Sequence, residues 1–151
     1  MSLLVRAAVG ADLSAILSLY TETGLDGGEP LSLERAGAIF TRMAAYPDYG
    51  VFVAEEDGRV VGTFALLIMD NLANWGAPSA IVEDVAVAVD QQGRGVGKRM
   101  MLVARARAEE RGCYKLVLSS NARREAAHRF YESLGFERHG FSFQVTLSRP
   151  P

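Results

Sequence analysis

A glycine-rich stretch between two apolar segments is the part of this sequence best suited to bind an anion. The stretch "QGRGVG" (residues 92–97) follows the apolar run "IVEDVAVAV" and precedes "KRMMLVARARAEERG". A strand that leads through glycines into a helix presents unpaired N–H groups and the positive end of the helix dipole. Glycines allow close approach because no Cβ intervenes. The stretch is therefore a candidate phosphate-binding turn, although a purely structural tight turn could use the same residues.

Two common nucleotide-binding motifs do not fit this turn. In a P-loop the last glycine is followed by Lys and then Ser or Thr, whereas Gly97 is followed by Lys98 and Arg99. A dinucleotide fold places G-x-G-x-x-G near its start, but these glycines alternate as G-x-G-x-G and come late. The remaining pattern is Q/R-x-x-G-x-G/A, which residues 92–97 satisfy at each position.

Two adjacent carboxylates interrupt the apolar run before the turn. Glu83 and Asp84 are costly in such a strand unless they are solvated or paired. They either lie at a wet end of the strand without a function or serve a site. Strand alternation predicts two faces, one with Ile81, Glu83, Val85 and Val87 and the other with Val82, Asp84 and Ala86.

Composition limits the class of protein. The chain has 151 residues, 49% hydrophobic and 23% charged, which predicts one globular domain over 1–151. A net charge of −2 argues against a nucleic-acid-binding surface. The single Cys113 indicates a reducing compartment, and the longest apolar run, residues 60–69, is too short to span a bilayer. We therefore expect a soluble cytoplasmic protein that binds neither nucleic acid nor membrane.

Hydrophobic periodicity and turn residues predict the order β-α-α-β-β-β-α-β-α-β. Asp57-Gly58 marks a hairpin, and Asp12 is a candidate helix cap. In the helix after the glycine-rich turn, a core-facing row is expected at Val96, Met100, Ala104 and Ala108. The segment 135–148 is predicted as one bent strand or two short ones. This order indicates an α/β fold, a mixed sheet with helices on both faces.

Three motifs in this order resemble the acetyl-CoA-binding core of the GNAT superfamily of N-acetyltransferases. They are "VEDVAVAVDQQGRGVGKRM", "YKLVLSSN" and "AAHRFYESLGFE", and the similarity runs from about Ile81 to Phe143. The C-terminal half is most similar to aminoalkylphosphonate N-acetyltransferases, and "VEDVAV" with "GCYKLVL" is similar to glucosamine-6-phosphate N-acetyltransferases. Ala88-Val89 replaces the usual Asp-Pro, and Gln92 stands where Arg is more usual. Neither change removes a backbone donor.

The resemblance implies an acyl-CoA N-acyltransferase fold, with a mixed, mostly antiparallel sheet, and acetyl-CoA as cosubstrate. The backbone of Val85, Ala86 and Val87 would pair with the pantetheine arm like an added strand. Asn121 resembles an asparagine that contacts this arm, although a helix cap is an equal alternative. The turn would hold the pyrophosphate through Gln92, Gly93, Arg94, Gly95, Val96, Gly97 and Lys98.

The expected chemistry needs a base and an acid. A free alkylammonium has a pKa of about 10, so the acceptor must lose a proton before it attacks a thioester. Glu83 is the better base candidate, and Asp84 is the alternative that could instead orient the ammonium. Tyr131 matches the family tyrosine that protonates the departing thiolate. Its helical stripe with Ala127, Phe130 and Leu134 would otherwise make it a core residue.

The acceptor is expected to be a small primary amine such as an aminoalkylphosphonate or an amino sugar phosphate. A non-catalytic acyl-CoA-binding regulatory module and a protein-lysine acetyltransferase are the alternatives. Acceptor contacts should come from residues 23–35 and 70–78, and Trp75 belongs either to that site or to an interface. His128, His139 and Cys113 lack zinc-site spacing, so no metal is predicted. Family habit, the apolar segment "FSFQVTL" and Trp75 favour a homodimer.

Overall fold

A computed structural model describes residues 2–120 and 124–149. The chain divides into two compact units, Met1–Leu118 and Ser119–Pro151, which are described separately. The first unit contains five strands, β1 Leu3–Ala7, β2 Tyr49–Glu56, β3 Arg59–Met69, β4 Ser79–Val87 and β5 Leu116–Leu118. It also contains three α-helices, α1 Leu13–Glu22, α2 Leu33–Met43 and α3 Val96–Glu110. Short 3₁₀ helices lie at Gly10–Asp12, Asn74–Gly76 and Val89–Gln91.

The five strands form one sheet in chain order, β1-β2-β3-β4-β5. The first three pairings are antiparallel, and β4 pairs with β5 in parallel. The β2–β3 hairpin turns at Asp57 and Gly58, whose φ values are 49° and 79°, as a primed two-residue turn requires. The predicted mixed, mostly antiparallel sheet is therefore confirmed.

Helices α1 and α3 cover opposite faces of the sheet. Gly62 of β3 lies against α3, whereas Thr63, its neighbour in sequence, points to the other face. Ala86 pairs with Thr63 across the strands and packs against Leu19 of α1. The α1 face and the α3 face are named accordingly below. Helices on both faces were also predicted, so the α/β class holds.

Helix α3 packs closely on β3 because residue 62 is a glycine. A Cβ at this position would lie 2.8 Å from Met100 Sδ and 3.0 Å from Val96 Cγ1. The row predicted to face the core is buried, together with Met101. On the opposite side of the helix, Arg99 and Glu110 are exposed, as expected. Gly62 therefore sets how near the beginning of α3 comes to the sheet.

The second unit contains one helix, α4 Glu125–Ser133. It ends before Gly135, whose φ of 93° matches the predicted stop. The expected stripe of Ala127, Phe130, Tyr131 and Leu134 is half-buried. The helix was thus correctly predicted in position and in its apolar face.

The predicted final strand over 135–148 is wrong. Residues 137–149 form no strand, and four alternating apolar side chains are 78% to 92% exposed, namely Phe141, Phe143, Val145 and Leu147. Period-two alternation reports only which side chains share a face, whereas a strand forms only when its backbone N–H and C=O groups have a neighbour. The alternating pattern therefore did not predict the conformation of this segment.

Candidate active site

The glycine-rich turn joins β4 to α3 through two residues in the left-handed region. Gly93 has a φ of 78°, and Gly95 has a φ of 91° at the N-cap of α3. A Cβ built on either glycine meets no atom within 4 Å, so the protein itself leaves this side of the backbone open. Within the described residues, the N–H groups of Gly93, Gly95, Val96 and Gly97 donate to no protein acceptor. The turn thus presents a row of free donors.

The charge around the turn favours an anion. Lys98 and Arg99 are exposed in the first turn of α3, and Arg94 is exposed between the two glycines. Asp90, near the turn, is paired with Arg59, whose guanidinium donates to both its oxygens at 2.9 and 3.0 Å. Arg59 also holds the pKa of Asp90 below its usual value. Asp90 therefore opposes the positive end of the helix dipole less than an unpaired carboxylate would.

Side-chain contacts join the turn to the elements around it. The Gln92 side-chain amide donates to the Val87 carbonyl at 3.1 Å. Glu22, at the end of α1, accepts from the Val89 N–H at 3.1 Å. The buried Gln91 Oε1 has no hydrogen-bond partner among the described residues. The free backbone donors and the flanking cations fit a pyrophosphate. The unused Gln91 oxygen fits a ligand group that donates a hydrogen bond, and coenzyme A carries both kinds of group.

The edge of β4 is open next to the turn. Pairing of β4 with β5 ends at Val82 and Leu118, and β4 continues to Val87. Among the described residues, Glu83 to Val87 have no partner in β5. An extended amide-bearing chain could pair with this edge by strand addition. The predicted contacts of Val85, Ala86 and Val87 with the pantetheine arm therefore have an unpaired edge available to them.

A β-bulge lies in the middle of β4, at the two carboxylates. Ala65 pairs with Glu83 and Thr63 pairs with Ala86, so Phe64 alone stands opposite Asp84 and Val85. Asp84 has a φ of 53°, which is uncommon for a residue other than glycine. Both carboxylates thus lie inside the strand and not at its end. Both residues are nevertheless exposed, as the alternative of solvated carboxylates without a function expects.

The bulge overturns the predicted alternation beyond Glu83. Ile81, Glu83 and Ala86 lie on the α1 face, because their partners Leu67, Ala65 and Thr63 do. Val82 and Val87 lie together on the α3 face, opposite Leu66 and Gly62. Ala86 was expected on the face of Val82, and Val87 on the face of Glu83. The extra residue at the bulge shifts the period-two pattern by one position.

Two tyrosines share the α1 face with these carboxylates. Tyr49 of β2 pairs with Leu67, which pairs with Ile81, so Tyr49 and Glu83 point to the same side. Tyr20 of α1 packs against the cluster of Leu19, Ala86 and Ala88. Neither tyrosine was singled out from the sequence. Both tyrosines are distant from β4 in the sequence, so no local pattern linked them to the carboxylates. The presence of Tyr20 in an otherwise apolar helix face was a weak signal.

Burial and charge perturb the pKa values of this group. Burial raises the pKa of the Asp84 carboxyl, even though the residue as a whole is exposed. Burial raises the pKa of Tyr20, and the charge of Asp84 raises it further. Burial also raises the pKa of Tyr49, with added contributions from the charges of Asp84 and Glu83. A carboxyl held above its usual pKa beside neutral phenols suits a proton acceptor.

Tyr131 lies in the second unit, on α4. Its ring contacts Phe130 and Phe136, with centroids 5.2 and 5.9 Å away. Burial raises the pKa of its phenol, while Arg124 opposes the shift. The phenol is therefore protonated at neutral pH, as a proton donor must be. Asn121, the other predicted cofactor residue after β5, lies outside the described residues.

The remaining residues considered from the sequence take no part in this geometry. Burial raises the pKa of Cys113, opposite to the shift of a reactive thiol. The described residues hold no group of three or more His, Cys, Asp or Glu side chains that could bind a metal. Trp75 is fully exposed, with a φ of 56°, in the loop before β4. In the described part of the chain, no helix is both long and apolar enough to cross a membrane.

Comparison with known proteins places this geometry in context. The model of the acetyltransferase (GNAT) family matches residues 13–136. The glucosamine 6-phosphate N-acetyltransferase of Trypanosoma brucei brucei is 33% identical over 144 residues, 95% of each chain. The aminoalkylphosphonate N-acetyltransferase of Salmonella typhimurium is 29% identical over 67% of this chain and 65% of its own. A solved structure from Agrobacterium tumefaciens superposes with a TM-score of 0.88 at 38% identity, covering 97% of this chain and 100% of the other.

Proposed function

This chain is an N-acetyltransferase of the GNAT family, and we propose that it uses acetyl-CoA to acetylate a primary amine of a small molecule. The observation that supports this most strongly is the glycine-rich turn with its free N–H groups beside an unpaired strand edge. The family match spans both compact units, which supports a single functional domain over 1–151. Cytoplasmic location and the absence of nucleic-acid partners stay expectations from composition.

In this proposal the turn and the strand edge bind the donor. The free N–H groups of Gly93, Gly95, Val96 and Gly97 hold the pyrophosphate, with Arg94 and Lys98 adding positive charge, whereas the Gln92 N–H donates to the Val89 carbonyl at 3.4 Å. The backbone of Val85 to Val87 pairs with the pantetheine arm, and Asn121 contacts the same arm. The bound thioester supplies an activated acetyl group. Gln92 stands where Arg is more usual in the family. This change removes none of the proposed contacts, because they use backbone groups and the side chains of other residues.

The acceptor amine must be deprotonated before it attacks the thioester carbonyl carbon. Asp84 is the better base of the two carboxylates, because burial raises its pKa toward the range that suits a general base. This reverses the order favoured from the sequence, with Glu83 as the alternative that orients the ammonium. As the new C–N bond forms and the C–S bond breaks, the Tyr131 phenol gives its proton to the leaving sulfur. Asp84 releases the ammonium proton to solvent, and the second proton that the nitrogen loses on becoming an amide restores the Tyr131 phenol, which completes the balance.

The substrates in the names of the similar proteins define the first acceptors to assay. We propose an amino sugar phosphate or an aminoalkylphosphonate as reference compounds, since the similar proteins carry those names. A homodimer is also proposed, on the exposed apolar side chains of residues 141–147. A protein-lysine acetyltransferase and a binding module without catalysis are the competing functions.

One experiment separates these functions. Free thiol release from acetyl-CoA is followed with glucosamine 6-phosphate, 2-aminoethylphosphonate, simple diamines and a lysine peptide, and products are identified by mass. We expect acetylation of a small amine at a rate that falls in Asp84→Asn. Turnover of the peptide alone would favour the protein-directed enzyme. Coenzyme A binding by calorimetry without turnover of any amine would favour the binding module and refute the proposal.

A further inference from the structure

The α1 face beside the bulge carries an acidic and aromatic group whose charge is not compensated by the protein. Glu83 and Asp84 form no ion pair within the described residues. Some other carboxylates in this unit are paired with arginines, for example Asp12 with Arg6 and Asp90 with Arg59. The two exposed carboxylates of β4 are therefore accessible to a cationic ligand.

The tyrosines define the rest of this group. Tyr49 lies on the same face as Glu83 by strand register, and Tyr20 reaches that face from α1. Both are half-buried, so their rings are held by packing while part of each stays accessible. A phenol ring attracts a cation through its face, and its hydroxyl can bond either a carboxylate or an acceptor oxygen. A primary ammonium suits such surroundings, whereas an anion does not.

The segments expected to contact the acceptor add to the negative charge. Residues 23–35 contain Asp26, Glu29 and Glu34 against one cation, Arg35, and residues 70–78 contain Asp70. Asp26 is fixed in that loop, where Thr21 Oγ1 and the Gly28 N–H donate to its two oxygens at 2.6 and 2.9 Å. Both segments thus carry more carboxylates than cations, in addition to the two carboxylates on β4.

From these observations we propose that Tyr20 and Tyr49 are specificity-determining residues that hold the acceptor ammonium against Asp84 and Glu83. The acceptor then carries no phosphate or phosphonate close to its reacting nitrogen. This inference rests on the proposed function and narrows its substrate class. An amino sugar with a phosphate across the ring is compatible with it, whereas a short aminoalkylphosphonate is disfavoured. Like charges a few ångströms apart in a partly desolvated site repel strongly enough to decide between the two.

Two isomers of equal charge test the idea. In glucosamine 1-phosphate the phosphate is on the carbon next to the amine-bearing carbon, and in glucosamine 6-phosphate it is on the far side of the sugar. We expect kcat/KM for the 6-phosphate to exceed that for the 1-phosphate at least tenfold. Glu83→Gln, which keeps shape and removes charge, should reduce this ratio at least threefold. An unchanged ratio in Glu83→Gln would mean that shape alone discriminates and would overturn the electrostatic inference.

The tyrosines are tested by separating binding from chemistry. Tyr20→Phe and Tyr49→Phe should each raise KM for the better acceptor several-fold while kcat changes less than twofold. Tyr114→Phe is the matched control, because Tyr114 is partly exposed beside Lys115 and should leave both constants unchanged. Wild-type KM in both Tyr20→Phe and Tyr49→Phe, and also in Tyr20→Leu and Tyr49→Leu, which remove the ring, would assign these residues to packing.

Failure of this inference is distinguishable from failure of the proposed function. If neither sugar phosphate is acetylated, the comparison is repeated with 2-aminoethylphosphonate and 4-aminobutylphosphonate, where the longer chain should be preferred tenfold. Equal or reversed preference with clear turnover refutes the acceptor assignment only. Absence of turnover with every amine, while coenzyme A binds, refutes the acetyltransferase proposal itself.

Discussion

Gly95→Asp should weaken coenzyme A binding through charge. Gly95 occupies the N-cap of α3 with a φ of 91°, and a Cβ there would meet no protein atom within 4 Å. The protein therefore resists the new side chain only through backbone strain, about 1–2 kcal/mol for an ordinary residue and less for Asn or Asp. Because Gly95→Asn has the same shape and similar strain, the difference between the two variants isolates the negative charge.

The size of that difference follows from the distance to a bound phosphate. A carboxylate roughly 5 Å from one phosphate charge is repelled by about 0.8 kcal/mol in bulk water and about 3 kcal/mol at an effective dielectric constant of 20. We therefore expect Gly95→Asp to bind coenzyme A roughly tenfold to a hundredfold more weakly than Gly95→Asn. High salt should reduce the difference, because the turn is exposed.

Isothermal titration calorimetry on folded protein measures both affinities at low and high salt. Gly112→Asp serves as the control, since Gly112 lies at the other end of α3 with a φ of 73° and open space around its Cβ position. It should bind coenzyme A as the wild type does. Equal affinities for Gly95→Asp and Gly95→Asn would remove the pyrophosphate from this turn.

Four other predictions concern the acid, the base, the packing of α3 and assembly. Tyr131→Phe should lower kcat roughly tenfold or more in thiol-release kinetics without changing acetyl-CoA affinity, since a positioned general acid contributes about 10²–10⁴ and thiolate is a tolerable leaving group; an unchanged chemical step would make Tyr131 a packing residue. Asp84→Asn should raise the free energy of unfolding at pH 7, measured by urea denaturation. Burial raises the pKa of Asp84 in the folded state, so ionisation of the wild-type carboxyl favours the unfolded chain. The stabilisation by Asn should vanish as the pH falls below about 4, where the carboxyl is protonated in both states. Gly62→Ala should cost about 1–3 kcal/mol by crowding Met100, whereas Gly37→Ala in α2, with open space at its Cβ, should not destabilise. Sedimentation at micromolar concentration should show a dimer, and monomer alone would contradict that proposal.

Much of the fold could be predicted from local patterns. Asp57-Gly58 fixed the hairpin because a two-residue reversal needs positive φ, and glycine next to aspartate provides it. The row from Val96 to Ala108 placed α3 because a helix repeats its buried face every three to four residues. The glycine-rich turn was recognisable for a similar reason, since few residues tolerate the φ values found at Gly93 and Gly95.

Features that depend on a distant partner were not predictable in the same way. The alternation in residues 141–147 is that of a strand, yet strand formation depends on a neighbour that the pattern does not name. Tyr20 and Tyr49 reach the carboxylates only through the packing of α1 and the order of the strands. No spacing rule in one sequence connects Tyr20 with Asp84, 64 positions away, or Tyr49 with Glu83, 34 positions away.

The bulge at Asp84 explains why the sequence pattern located the carboxylates but did not predict their orientation or their surroundings. A regular strand would send Asp84 to the face of Val82, against the core under α3, where an unpaired carboxylate is strongly disfavoured. The extra residue and the positive φ avoid that burial, at a strain of about 1–3 kcal/mol. They leave the carboxyl partly desolvated, and this desolvation raises its pKa. In the proposed mechanism, the same local departure from strand geometry thus keeps the carboxylate out of the core and makes it basic enough to accept a proton.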